Sequence, residues 1–139
     1  MPVETESFRW TEAYSVNIAT LDRQHQKLFE TVNELNRALR NGVGNEALDP
    51  ILDQLMEYAT VHFAAEESLM EKYEFPGLST HHTQHEMFRQ QIAVFLAGHK
   101  AAKPGVAVSL MFFIQDWMKR HLLQTDKLYS AFLNARGVR

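Results

Sequence analysis

With no cysteine among 139 residues, 45% hydrophobic and 22% charged residues and a formal net charge of −3, the chain excludes disulfides, thiolate metal sites and thiol catalysis. It carries no basic block, so neither nucleic acid nor an anionic membrane surface is an expected partner. The length suits a single domain over 1–139; no apolar signal-peptide core opens it, and its longest apolar run, 106–114, is broken by Ser109 and too short to cross a bilayer, which makes the cytoplasm the expected compartment.

Residues 1–19 show few helix signals. Phe8, Trp10, Tyr14, Val16 and Ile18 alternate loosely with polar residues, the pattern of an extended arm anchored by aromatics. A first helix is expected over 20–40, with Leu21, His25, Leu28, Val32, Leu35 and Leu39 on one seam and Phe29 beside it. Asn41, Gly42 and Gly44 stop it. A second helix is expected to begin near Asp49-Pro50, a capping residue followed by proline at the first helical position, and to run to about Tyr73. Phe75-Pro76-Gly77 then breaks the chain. A third opens at Ser79 or Thr80, carries His81, His85, Phe88, Ile92 and Phe95 on its seam, and ends near Gly98. Lys103-Pro104-Gly105 leads into a fourth, with Leu110, Ile114, Trp117 and His121 on one seam and Met118, Leu122, Asp126 and Tyr129 on its neighbour. The tail, 135–139, is expected to fray. Four helices with short connections and no strand pattern predict an all-α fold, an antiparallel up-down four-helix bundle over 20–134 with the N-terminal arm laid over it.

The chemistry starts at His62-Phe63-Ala64-Ala65-Glu66. A histidine and a glutamate four residues apart leave the same face of a helix. That face is the inner one, because Leu55, Ala59, His62, Glu66, Leu69 and Tyr73 follow one another at core-facing spacings. An isolated buried carboxylate is strongly unfavourable, so it needs a partner. Every other helix offers one on its own seam: His25 on the first, His81 and His85 on the third, His121 and Asp126 on the fourth. Alone, each reads as a hydrogen-bonded core residue. Together, five imidazoles and two carboxylates converging on one interior read as a metal centre.

The seams also separate ligands from bystanders. His82 falls in a polar row with Glu86 and Arg89, and Glu67 is displaced from Glu66 in the same way. His99 lies beyond Gly98, roughly 20 Å of helical rise from His85. One spacing is awkward: His121 and Asp126 stand about 140° apart on an ideal helix, so both face inward only on a wide buried face or across a local irregularity such as a π-bulge.

Imidazole and carboxylate without thiolate suit iron, manganese, zinc or copper. The donor set is too large for one tetrahedral zinc and suits two bridged ions. Two octahedral ions sharing both carboxylates and one solvent oxygen would be left with one open coordination place. Leu28, Phe29, Phe63, Trp117, Met118 and Leu122 are apolar neighbours in register with the ligands, and Trp10 could cover the site from the arm. No further seam residue is expected to serve as a general acid or base, which favours reversible binding of a small ligand over turnover.

These residues resemble the haemerythrins, in the single-domain bacterial form. The matching segments are Trp10, then Asp22-Arg23-Gln24-His25-Gln26-Lys27-Leu28-Phe29, His62 to Glu67, Phe75-Pro76-Gly77 with His81 and His85, Trp117 to His121, and Asp126-Lys127-Leu128-Tyr129. They span nearly the whole chain. The resemblance implies a non-haem centre of two iron ions that binds dioxygen reversibly, for storage, delivery or sensing. It implies His81, His85 and His121 on one iron, His25 and His62 on the other, which keeps the open position, and Glu66 and Asp126 as bridges. Met118 stands where the family has a bulky apolar residue beside the oxygen pocket. The competing reading is an enzyme: a di-iron oxidase, a peroxidase or a nitric oxide-handling activity. Carboxylate-rich di-iron oxidases usually carry Glu-x-x-His pairs, whereas here Glu66 is followed by Leu69, so the oxygen-binding, non-enzymatic reading ranks first. An oxygen-consuming enzyme could receive the gas; these residues do not identify one.

Overall fold

The structure is a computed structural model that describes residues 8–139; the first part of the expected arm, 1–7, lies outside the described residues. A single turn of 3-10 helix at Glu12–Tyr14 precedes α1 (Ala19–Arg40), α2 (Gly44–Lys72), α3 (Leu78–Lys100) and α4 (Val106–Trp117). A π-helical stretch, Met118–Thr125, joins α4 to α5 (Asp126–Asn134) without a break in helical backbone, so the three form one rod. No strand occurs among the described residues.

The rods run antiparallel, as cross-helix pairs show. Gln24 and Thr31 of α1 meet His62 and Gln54 of α2 in reverse order. Glu67 and Ala59 of α2 meet His85 and Arg89 of α3. Phe95 and Phe88 of α3 meet Phe113 and Trp117 of α4. Packing follows the seams. The larger apolar cluster fills one stretch of the bundle with Leu28, Leu35, Leu52, Phe63, Ile92, Leu110 and Leu122. A smaller one closes the other end with Val16, Ile18, Leu21, Met70, Tyr129 and Leu133. The histidine and carboxylate positions fall between the two clusters on every rod.

Three element boundaries differ from the sequence expectation. α2 begins at Gly44, not at Asp49-Pro50, and Pro50 sits inside the helix. The proline lacks an N–H for the turn before it, but the turns ahead of Pro50 bury Leu48 completely. Gly44 fits there because it has no side chain: a Cβ would stand 3.0 Å from Leu39 Cδ2 and 3.1 Å from Ala107 Cβ. α3 opens one residue earlier than Ser79, at Leu78, with no side-chain cap. The tail does not simply fray. Asn134 Nδ2 donates to the Val138 carbonyl at 2.8 Å, and the Arg136 guanidinium lies 3.5 Å from the centroid of the Phe132 ring.

The arm is tied down along its described part. Phe8 N–H donates to Asn33 Oδ1 at 2.7 Å and Asn33 Nδ2 donates back to the Phe8 carbonyl at 2.9 Å. Asp22 accepts from Ser15 Oγ at 2.6 Å and from the Val16 N–H at 2.8 Å. Ser130 Oγ donates to the Val16 carbonyl at 2.9 Å. These bonds deliver Trp10 to the edge of the site, its ring 5.5 Å from Phe29 and 6.4 Å from His25.

Candidate metal centre

The structure brings all seven singled-out residues together. His25, His62, Glu66, His81, His85, His121 and Asp126 are each at most 2% exposed, and their polar ends meet. The awkward spacing on the last rod is resolved by the π-helical stretch: the Asp126 N–H bonds to the His121 carbonyl, five residues back. The extra residue in that turn swings both side chains inward, and His121 Nε2 lies 3.0 Å from Asp126 Oδ1.

Each carboxylate divides its two oxygens. Glu66 turns Oε2 toward His62 at 3.1 Å and His25 at 3.5 Å, and Oε1 toward His85 at 3.1 Å and His81 at 3.5 Å. Asp126 turns Oδ2 toward His25 at 3.3 Å, and Oδ1 toward His121 at 3.0 Å and His81 at 3.1 Å. The donors therefore sort into two groups that share the carboxylates, His25 with His62 and His81 with His85 and His121. Within the sets Glu66, His81, His85, His121 and His25, His62, Glu66, the ligand atoms lie within 4.8 Å of one another, and either set could hold a metal ion.

All five Nε2 atoms, Glu66 Oε1 and both Asp126 oxygens are buried without a hydrogen-bond partner. Native interiors rarely leave such atoms unpaired. At three of the five rings the outer nitrogen explains why the inner one is a lone pair. His85 Nδ1 lies 2.6 Å from Glu67 Oε2, His62 Nδ1 lies 2.6 Å from Gln24 Oε1, and His121 Nδ1 lies 2.9 Å from Gln84 Oε1. A carboxylate or amide oxygen can only accept, so each Nδ1 carries the proton and each Nε2 offers a lone pair to the centre. Lone pairs facing carboxylate oxygens repel unless a cation stands among them. The donor set fits metal ions on that ground.

Protons show the same demand. Burial pulls the imidazoles of His25 and His81 down, but the carboxylates of Asp126 and Glu66 facing them outweigh it and raise both to about 9. Burial would lift the carboxyl of Glu66, and burial together with the Glu66 charge would lift that of Asp126; the facing imidazoles instead hold both below the ordinary carboxylate range. His62 goes the other way, lowered mainly by burial.

Sequence reasoning missed the outer ring of contacts. Glu67 was set aside as displaced from the seam. It is outside the central layer, but it bonds His85 and also His82, whose Nδ1 is 2.9 Å away. Gln24 and Gln84 each precede a seam histidine by one residue, yet each serves a histidine of another helix, so no local pattern marks them. The bystander histidines stand apart from the centre: His82 is half exposed, and His99 pairs with Asp49 at 3.1 Å.

Leu28, Phe29, Phe63, Trp117, Met118 and Leu122 are buried in one apolar cluster against the centre. Phe63 stacks on His85 at 3.7 Å and Trp117 on His121 at 4.0 Å between ring centroids. Two tyrosines also line the site. Tyr129 donates its hydroxyl to Glu66 Oε2. Tyr58 stacks on His62 with ring centroids 4.9 Å apart.

A family model described as the Hemerythrin HHE cation binding domain matches residues 16–133. The chain belongs to the haemerythrin family. Among curated relatives, the Bacteriohemerythrin of Methylococcus capsulatus is 30% identical over 127 residues, 91% of this chain and 96% of that one. The Bacteriohemerythrin of Clostridium acetobutylicum is 29% identical over 126 residues, 88% of this chain and 98% of that one. A Hemerythrin-like protein of Naegleria gruberi is also 29% identical, covering 91% and 93%. The haemerythrin match takes in all seven central residues and begins after Trp10. Among the described residues, no helix of this haemerythrin is long and apolar enough to cross a membrane.

Proposed function

We propose that this haemerythrin binds dioxygen reversibly at a centre of two non-haem iron ions. The observation that supports the reading most strongly is the division of the Glu66 and Asp126 oxygens between two imidazole groups. On this reading His81, His85 and His121 hold one iron, His25 and His62 hold the other, and the two carboxylates bridge. The iron pair would supply two electrons to a dioxygen molecule and take them back on release. The chain's own residues supply the rest. Gln24, Glu67 and Gln84 fix ring orientation through Nδ1, Tyr129 holds Glu66, and the apolar wall of Leu28, Phe63, Met118 and Leu122 keeps bulk water out. The smaller imidazole group, His25 with His62, offers one donor fewer than the larger, and a small exogenous ligand would sit on that side.

The test is optical. Iron-loaded protein is reduced anaerobically and then exposed to air. A visible charge-transfer band that rises with oxygen and vanishes when oxygen is removed supports the reading. Rapid one-way oxidation with release of peroxide would favour an oxidase instead. Replacing His62 with Ala is expected to abolish oxygen binding, and retained reversible binding would overturn the assignment of the open position.

A further inference from the structure

Tyr58 Oη is buried, and among the described residues its proton has no acceptor. Its ring is pinned on several sides: it stacks on His62 with an interplanar angle of 16°, and meets Phe63 and Phe88 edge-on at 5.2 Å and 5.7 Å. The hydroxyl therefore cannot swing out to solvent without breaking that packing. A phenylalanine would fill the same space without burying a hydroxyl proton that lacks an acceptor, so the hydroxyl is unexplained by packing alone. The other buried tyrosine, Tyr129, spends its proton on Glu66.

The ring faces the centre through its stacking on His62, and its neighbours Phe63 and Phe88 belong to the apolar cluster. Burial raises its pKa well above the ordinary phenol value, and the charges of Glu66 and then Asp126 raise it further. Trp117, which stacks on His121, opposes that rise by turning its indole N–H, a donor only, toward the hydroxyl oxygen, which leaves the hydroxyl's own proton without an acceptor. On its outer side Tyr58 lines a cleft of about 250 Å³ between α1 and α2, shared with Leu28, Thr31, Val61 and His62. The ring thus stands between a surface opening and the apolar cluster, with its hydroxyl buried.

We propose that the Tyr58 hydroxyl donates a hydrogen bond to the small ligand bound beside His62, and so selects ligands whose outer atom is an acceptor. The inference rests on the di-iron reading above. The favoured class is a small ligand that gains negative charge on its far end, such as reduced dioxygen or azide. A poor acceptor such as carbon monoxide gains nothing from it. A hydrogen bond to a charged acceptor inside an apolar pocket is stronger than one between neutral groups.

The probe is azide on the oxidised, iron-loaded full chain, titrated by its charge-transfer band in the wild type and in Tyr58→Phe. The variant keeps the stacking on His62 and loses only the donor. Azide is expected to bind about tenfold more weakly to the variant, with its iron content unchanged. Equal affinity, within about twofold, in a variant that holds its iron would overturn the proposal while leaving the di-iron reading intact. Should the variant fail to load iron, the wild-type azide complex decides: a terminal azide nitrogen within hydrogen-bond reach of Tyr58 Oη, about 3.2 Å, supports the proposal. An azide outside that reach overturns it. A wild type that loads no iron overturns both readings together.

Discussion

The two halves of the central layer are built unequally. Around His81, His85 and His121, rings are clamped by Phe63 and Trp117, and two outer nitrogens are held by Glu67 and Gln84. Around His25 and His62, only His62 has an outer partner, the neutral Gln24, and His25 Nδ1 is buried without one. The first half has more donors and more outer partners. The second has fewer donors, an imidazole without an outer partner among the described residues, and a tyrosine stacked on His62. On the proposed di-iron reading, the difference would let one fold hold a closed ion next to one that accepts a ligand, with closure set by the number of imidazoles and by how each is held.

Removing the shared carboxylate should erase the difference altogether. Glu66→Ala takes an oxygen from both halves and leaves Asp126 as the one central carboxylate for the five imidazoles. Iron content, measured per chain, is expected to fall from near two to near zero. A variant that keeps one iron would show that the two halves do not depend on the shared group.

A pH series tests whether the halves share one electrostatic demand, since each contains one imidazole raised to about 9. A folded-state value above the unfolded 6.5 means that the protonated imidazole stabilises the metal-free fold. That contribution is whole below pH 6.5 and is lost as pH rises through 9. The metal-free protein should therefore melt at progressively lower temperature between pH 6.5 and 9, each imidazole contributing about 1.4 kcal/mol per pH unit across the window. His62, whose value is lowered, is neutral throughout that range and adds no slope. The metal-loaded protein should lack this decline, because ions have replaced the protons. Equal slopes with and without metal would contradict the assignment.

The outer partners should sharpen the contrast. Glu67→Ala removes a charged acceptor from His85, and Gln24→Ala a neutral one from His62. Such contacts are worth about 10- to 100-fold in metal affinity, with the charged one expected at the upper end. Competition with a chelator reads both; a larger loss for Gln24→Ala would reverse the ranking of the halves. The smallest effect is expected at Met118, fully buried in the apolar wall. Met118→Leu conserves volume and should cost under about 1.5 kcal/mol in thermal stability. A larger loss would mean that the thioether does more than fill space.

The seam of each helix and the seven central positions were legible because a buried stripe repeats with the helical period, and a polar residue on it stands out. The 140° offset between His121 and Asp126 was legible as a conflict, and the π-helical turn is its resolution. The start of α2 was not legible, because the rule that proline opens helices gave way to the burial of Leu48 beyond it. Nor were Gln24, Glu67 and Gln84, whose partners lie on other helices at 38, 18 and 37 residues' separation. Tyr58 was missed for a different reason. It occupies the same helix as His62 one turn earlier, but an aromatic at that spacing reads as core packing until its hydroxyl proton is seen to lack an acceptor.

Ferrous iron titrated anaerobically into the metal-free chain addresses the shared-carboxylate arrangement most directly. Protein stability or a metal-sensitive spectrum is followed against equivalents added. The account predicts a break at two irons per chain, with proton release from the paired imidazoles. A break at one iron, or no saturable binding, would contradict it.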